Sequence, residues 1–210
     1  MTYKAIAFDL DGTLIDTMNF TIKYFIEAVN KFRENKFSFD ELLNHVGAPE
    51  DVIFRDIMKD EAIASKAYDY YKDLFVKTLP KIKLDEEMKL MLDSLLQKGL
   101  IIGLVTGRCR DLVEIFLNHL NMKNYFNIII TGNDLIHYKP NPEGLINFVN
   151  FTKLDKSEIL YIGDMKADIL AARNCGVNCG LVKWFKIDNY EVVEKPDYFL
   201  EKPMQIIDLL

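Results

Sequence analysis

Beyond Lys83 the chain alternates between amphipathic helical stretches and short, continuous apolar runs, and this alternation constrains the fold more than any other feature. Leu84, Met88, Met91, Leu92 and Leu95 recur at helical spacing before Gly99. Leu100 to Val105 is a continuous apolar run, after which Leu112, Ile115, Phe116 and Leu120 return to the helical period. Phe126 to Ile130, Ile159 to Ile162, Cys179 to Val182 and Tyr198 to Leu200 are further strand candidates, with helices expected over Leu145 to Phe151 and Ile169 to Cys175. One more apolar run, Tyr3 to Leu10, lies near the start of the sequence. Apolar strands joined through helices predict an α/β fold with a doubly wound, mostly parallel sheet covered on both faces. In such sheets ligands bind beyond the carboxyl ends of the strands.

Between about Asp16 and Lys81 the pattern is helical throughout. Ile22, Phe25, Ile26, Val29 and Phe32 share one helical face, and Phe39, Leu42, Leu43 and Val46 share another. Ser38 and Glu41 form a capping box for the second of these helices. Val52, Phe54, Ile57 and Met58 mark a third helix after Pro49. Ile63, Ala67, Tyr70, Tyr71, Leu74 and Phe75 mark a fourth, whose aromatic stripe is expected to be core. The chain therefore divides into residues 1–15 plus 82–210, a Rossmann-like core, and residues 16–81, an inserted all-helical domain.

At 210 residues such a chain buries roughly 70% of its unfolded surface and needs no staple. The net charge of −6 argues against nucleic acid or an anionic membrane as partner, so a negatively charged substrate needs local help from a metal or a few placed cations. Cys109, Cys175 and Cys179 form no CxxC pair and are expected to be small packing residues in a reducing compartment. No signal peptide is expected, and no apolar run approaches membrane-spanning length, so the expected location is cytoplasmic.

The polar residues gather where the apolar runs stop. Asp9-Leu10-Asp11-Gly12-Thr13 ends the first run, and like carboxylates so close call for a cation between them. Thr106-Gly107 ends the second, offering a hydroxyl and a backbone N–H. Gly163-Asp164 follows Ile159 to Ile162, and Asp168 lies one helical turn beyond Asp164. Lys139-Pro140 supplies a fixed cation before a helix. An oxygen-rich pocket with one lysine suits Mg²⁺ and a phosphoryl group.

The ordered set DLDGT, TG, KPNP and GDMKAD resembles the haloacid dehalogenase superfamily in its phosphatase branch, and the helical insert is similar to that family's helical C1-type cap. The resemblance spans nearly the whole chain. It implies that Asp9 is the nucleophile and Asp11 the general acid and then the general base. It implies that the Asp9 carboxylate, the Asp11 carbonyl and Asp164 ligate Mg²⁺, and that Thr106, the Gly107 N–H and Lys139 hold the phosphoryl group. Gly12, Thr13 and Gly163 would support these loops, and Asp168 would orient Lys139 or a metal-bound water. Tyr138 departs from the pattern, since relatives often carry Gly before the lysine. The implied activity is Mg²⁺-dependent hydrolysis of a small phosphorylated metabolite through an aspartyl-phosphate, as in phosphoglycolate phosphatases. A β-phosphoglucomutase-like phosphotransferase, a pyrophosphatase and a nucleotidase share the same core residues and remain alternatives. Family dehalogenases attack carbon and typically lack the second aspartate, so Asp11 argues against that chemistry. A phospho-receiver signalling domain also has acidic Mg²⁺ ligands on a doubly wound sheet, but it has no helical insert and no DxDGT at its first strand.

Other residues keep two readings. Gly47-Ala48-Pro49 is either a substrate-specificity loop or a simple helix–helix turn. Arg108 and Arg110 either meet a second anionic group on the substrate or are solvated surface arginines. His45, His119 and His137 show no ligand spacing and are expected to be structural. Trp184 and Phe185 are a hydrophobic flap or a dimer contact, and the chain is a monomer or a homodimer.

Overall fold

The computed structural model describes residues 3–45, 47–185 and 194–210. Among them, six strands form one all-parallel sheet: β1 Ala5–Phe8, β2 Ile101–Val105, β3 Ile128–Ile130, β4 Ile159–Gly163, β5 Asn178–Val182 and β6 Tyr198–Leu200. Their order is β3-β2-β1-β4-β5-β6. The chain winds outward from β1 in one direction, then crosses back and winds outward in the other. β1 thus pairs with both β2 and β4, with Phe8 opposite Leu104 on one side and Ile162 on the other. The reversal of winding opens a crevice beyond the carboxyl ends of these three strands, where doubly wound sheets bind ligands.

The helices between β1 and β2 are α1 Met18–Phe32, α2 Phe39–Leu43, α3 Glu50–Met58, α4 Glu61–Thr78 and α5 Glu86–Gln97. Further along come α6 Arg110–His119, α7 Glu143–Thr152 and α8 Lys166–Cys175. The expected capping box is present: Ser38 N–H donates to Glu41 Oε2 at 2.9 Å and Glu41 N–H to Ser38 Oγ at 3.3 Å. That helix ends at Leu43, and Val46, read as part of the same face, lies outside the described residues. No strand occurs among the described residues from 16 to 81.

Alternation along β1 divides the core. Ile6 and Phe8 face the layer that holds α5 and α6, while Ala5 and Ala7 face α7 and α8. The second layer comes close to the middle of the sheet, where Ala5, Ala7 and Gly103 are small: a Cβ at Gly103 would lie 2.4 Å from the Phe148 ring. The first layer continues without a break into α1–α4, through Phe75 edge-on to Phe116 at 5.3 Å. Phe25 stacks on Phe54 at 4.4 Å and meets Tyr71 edge-on at 5.7 Å, so the aromatic stripe is core, as expected. The three cysteines are free and buried, which matches their reading as packing residues. Each histidine has an ordinary neighbour: His45 lies beside Asp56, His119 beside the Ile82 carbonyl and His137 beside Glu143. Among the described residues, no helix is long and apolar enough to cross a membrane.

Candidate active site

β1 ends by handing its backbone to a tight loop. Asp9 N–H still donates to the Ile162 carbonyl at 2.8 Å, but the next acceptor, the Leu10 carbonyl, takes the N–H groups of Thr13, Leu14 and Ile15. That turn needs Gly12 in the left-handed region, at φ +79°, and a Cβ there would lie 2.2 Å from Asp164 Oδ2. Thr13, fully buried, donates its hydroxyl to Asp164 Oδ1 at 3.2 Å. The loop is braced from outside by Trp184, whose Nε1–H donates to the Thr13 carbonyl at 2.8 Å. Trp184 and Phe185 pack against the first core layer, so within this chain Trp184 is a strut rather than a flap.

β4 delivers the second acidic pair. Asp168 folds back over Gly163, where a Cβ would lie 2.4 Å from the Asp168 carboxyl carbon. Asp168 Oδ2 accepts the Met165 N–H at 2.9 Å and so caps α8. Its Oδ1 accepts from Lys139 Nζ at 2.6 Å and from the Tyr161 hydroxyl at 2.8 Å. The same Lys139 Nζ reaches Asp9 Oδ1 at 2.6 Å, so one buried lysine bridges carboxylates from two different strand ends. Tyr161 donates no sequence signal of its own, because in an apolar strand it reads as packing. Its alternate position on β4 turns it toward the helix layer where Lys139 and Asp168 lie.

The acidic cluster has the chemistry of a cation site. Asp9, Asp164 and Asp168 are all buried, and each offers a carboxylate oxygen within 4.8 Å of the others. Asp164 Oδ2 is buried with no hydrogen-bond partner, and an orphaned buried carboxylate oxygen is costly. Hard oxygen donors in this arrangement fit Mg²⁺. Without a metal, burial pushes the Asp9 carboxyl up to about 7 against the pull of Lys139. Burial, reinforced by Asp168 and Asp9, holds Asp164 well above the usual carboxylate range. A carboxyl raised on folding stabilises the native state below about pH 4, and that stability is lost as pH rises through the folded value. The metal-free protein is therefore expected to melt at a lower temperature near about pH 8 than near about pH 5, and saturating Mg²⁺ to remove most of the difference. A melting temperature in EDTA that does not fall over this range would contradict the unbalanced cluster.

Arg108 is neither solvated nor free. Its side chain is 2% exposed, with the guanidinium carbon 4.9 and 5.1 Å from the centroids of the adjoining Phe75 and Phe116 rings. It donates two parallel hydrogen bonds of 2.6 Å to the Asp11 carboxylate and one of 2.6 Å to the Thr21 hydroxyl. Asp11 also accepts from the Thr17 hydroxyl. The remaining face of the guanidinium meets Glu50, at 3.1 Å between Nη1 and Oε1. Arg110 instead points outward to an ion pair with Asp134. Glu50 escaped the sequence reading: after Pro49 it looks like an ordinary acid in the first turn of a helix. Only the fold shows that it is buried and accepts the Cys109 N–H at 2.7 Å.

The Gly47-Ala48-Pro49 turn does reach the strand ends. Gly47, at φ +101°, is so close to the lysine loop that a Cβ would lie 2.3 Å from the Lys139 carbonyl. A Cβ on Gly107 would lie 2.6 Å from the Gly47 carbonyl, and Thr106 is buried beside it, its hydroxyl accepting the Arg108 N–H at 3.2 Å. Asp9, Asp11, Thr106, Gly107, Lys139, Asp168, Gly47 and Ala48 thus line one cavity of about 140 Å³. Asp164 and Gly12 stand at its acidic end through their contacts with each other and with the cluster.

A loop carrying two aspartates at the winding reversal of a parallel sheet, a lysine shared by two carboxylates and an acidic cluster are the features of a phosphatase of the haloacid dehalogenase type. The chain belongs to the haloacid dehalogenase-like hydrolase family, whose model matches residues 6–182. Pyrophosphatase PpaX of Anoxybacillus flavithermus is 30% identical over 216 residues, covering 100% of this chain and 98% of that protein. A PpaX relative from Caldanaerobacter subterraneus is 32% identical over 213 residues, covering 100% of this chain and 96% of its own. Among crystal structures, a predicted phosphoglycolate phosphatase from Haemophilus somnus superposes with a TM-score of 0.83 at 21% identity, covering 100% of this chain and 98% of its own. CbbY from Rhodobacter sphaeroides, crystallised with phosphate, superposes with a TM-score of 0.80 at 17% identity, covering 98% of this chain and 96% of its own. At those identities the two structures bear on the fold.

Proposed function

We propose that this phosphatase is Mg²⁺-dependent and hydrolyses a small phosphomonoester through an aspartyl-phosphate on Asp9. The observation that carries the reading is the Asp9–Lys139 pair, 2.6 Å apart, beside the partnerless Asp164 oxygen. Asp9, Asp164 and the Asp11 backbone carbonyl would hold Mg²⁺, which supplies positive charge that lets a dianionic phosphate approach a carboxylate. Lys139 holds Asp9 in place and adds a second positive charge on the same side. Thr106 and the Gly107 N–H would receive phosphoryl oxygens.

In the first step an Asp9 carboxylate oxygen attacks phosphorus. The bond from phosphorus to the leaving oxygen breaks, and Asp11, as the acid, gives that oxygen its proton. The alcohol departs and Asp9 carries the phosphoryl group. In the second step the Asp11 carboxylate takes a proton from water while the water oxygen attacks phosphorus. Inorganic phosphate leaves and Asp9 is regenerated. In the present arrangement both Asp11 oxygens are engaged by Arg108 and Thr17, so proton transfer requires the carboxyl to turn from them toward the leaving oxygen.

We read residues 16–81 as the cap over this site, closing against water when substrate is bound. Three buried, unpaired cysteines suit a reducing compartment, and we assign the enzyme to the cytoplasm. The test is phosphate release with Mg²⁺ over sugar phosphates, phosphoglycolate, nucleotides and pyrophosphate, each repeated with excess EDTA. Release that depends on Mg²⁺ is expected. Full turnover in excess chelator would remove the metal from the mechanism, and no release from any phosphate ester would contradict the reading itself.

A further inference from the structure

The cavity between the strand ends and α1–α3 has walls of uneven character. On the helical side it is lined by Met18, Ile22, Phe25, Leu42, Leu43 and Ile53. Its cations, among the described residues, are Lys139 and Arg108. Both are already neutralised. Lys139 lies 2.6 Å from Asp9 and 2.6 Å from Asp168, in the position where a transferring phosphoryl group would use it. Arg108 is paired with Asp11 and with Glu50. When Asp11 turns to the leaving oxygen, Glu50 still balances the guanidinium, which also stays packed on the adjoining rings of Phe75 and Phe116.

A second anionic group on the substrate would therefore enter an apolar space beside carboxylates, where the cation left to meet it, Arg108, is already balanced by Glu50. Drawing Arg108 out to serve would strand Glu50, which is 6% exposed. Breaking a buried ion pair in that way is strongly unfavourable, because it leaves an uncompensated buried charge. The opposite chemistry suits the site. The wall away from the strand ends is apolar, and the whole cavity, phosphoryl site included, has only about 140 Å³, which favours a small leaving group.

We propose that the substrate's leaving group is small, uncharged and apolar, a short alkyl or single-ring aryl alcohol, rather than one bearing a carboxylate or a second phosphate. The inference rests on the phosphatase reading and deepens it. It separates this chain's specificity from the pyrophosphate in the name of its PpaX relatives, whose substrate would bring a second phosphoryl group into the apolar wall.

The experiment compares kcat/KM for isobutyl phosphate, 2-phosphoglycolate, phenyl phosphate and pyrophosphate on the full chain with saturating Mg²⁺. Isobutyl phosphate and phosphoglycolate match in shape and differ in a carboxylate, so their ratio isolates the charge. Isobutyl phosphate is expected to be favoured by about tenfold or more, since an unpaired buried charge is costly. Phenyl phosphate is expected to exceed pyrophosphate. In Glu50→Gln, Arg108 loses its standing partner, and the preference for isobutyl phosphate over phosphoglycolate should narrow. Phosphoglycolate or pyrophosphate turned over faster than the apolar esters by the wild type would overturn the inference while leaving the phosphatase reading intact. So would an unchanged ratio in folded Glu50→Gln protein. No phosphate release from all four, phenyl phosphate included, would instead remove the reading on which it rests.

Discussion

Asp9→Asn is expected to abolish turnover, by roughly 10⁴–10⁶-fold, the scale on which removal of a covalent nucleophile acts. The fold should survive. The amide keeps an oxygen to accept from Lys139, whose Nζ also remains bound to Asp168 and Tyr161. Lys139 is shared by Asp9 and Asp168 in the wild type, with Asp164 buried beside them, and the substitution removes one of these three acidic groups. The mutant is therefore expected to melt no lower than wild type in EDTA, as strained functional sites often allow. Its gain from Mg²⁺ should shrink, because one anionic ligand has become neutral. Phosphate release from purified mutant protein and paired melting curves with and without Mg²⁺ check both parts. Wild-type turnover by Asp9→Asn would end the assignment of the nucleophile.

Asp11→Asn should separate the chemistry from assembly of the site. Its backbone carbonyl is untouched and Asp9 remains intact, while proton transfer is lost. Such catalysis is worth about 10²–10⁴-fold, and turnover should fall by that factor. Aryl phosphates need little protonation of the leaving oxygen and should suffer less in the first step, yet the phosphoryl group should then persist on Asp9 for want of a base. A structural cost comes with it. Arg108 donates two charge-assisted hydrogen bonds to Asp11, and an amide turns an NH₂ toward the guanidinium in place of one acceptor. A loss of about 1.5–3 kcal/mol is expected, moderated by Glu50. Kinetics on an alkyl and an aryl ester, set beside a denaturation curve, distinguish the two effects. Equal, wild-type rates on both esters would show that Asp11 moves no proton.

What could be read from the sequence was whatever is local to a strand end. Asp9, Thr106 and Asp164 each lie within a residue or so of an apolar run, and parallel pairing in register brings the three ends level. The limits of the runs were less legible. Tyr3 to Leu10 reads as one strand, but β1 stops at Phe8 because Leu10 is drawn into the turn, where its carbonyl collects three N–H groups. The site's second layer was not legible at all. Arg108 and Arg110 are alike in sequence, and their opposite fates follow from direction: one packs on the Phe75 and Phe116 rings, while the other faces Asp134. Glu50 and Tyr161 have roles only because the fold brings α3 beside Arg108 and β4 beside Lys139. Trp184, read as a flap or a dimer contact, fastens within the chain a loop 171 residues earlier. Such pairings depend on three-dimensional packing, and no local pattern encodes them.

The account stands on a phosphoryl group bonded to Asp9. Rapid acid quenching of the Mg²⁺-loaded protein during turnover of an aryl phosphate, followed by mass spectrometry of the peptide that carries Asp9 and Asp11, tests this most directly. The prediction is one added phosphoryl group on Asp9 in a small fraction of wild-type protein, accumulating toward stoichiometry in Asp11→Asn and absent from Asp9→Asn. Steady phosphate release with no phosphorylated peptide in either wild type or Asp11→Asn, or a phosphoryl group that remains in Asp9→Asn, would contradict it.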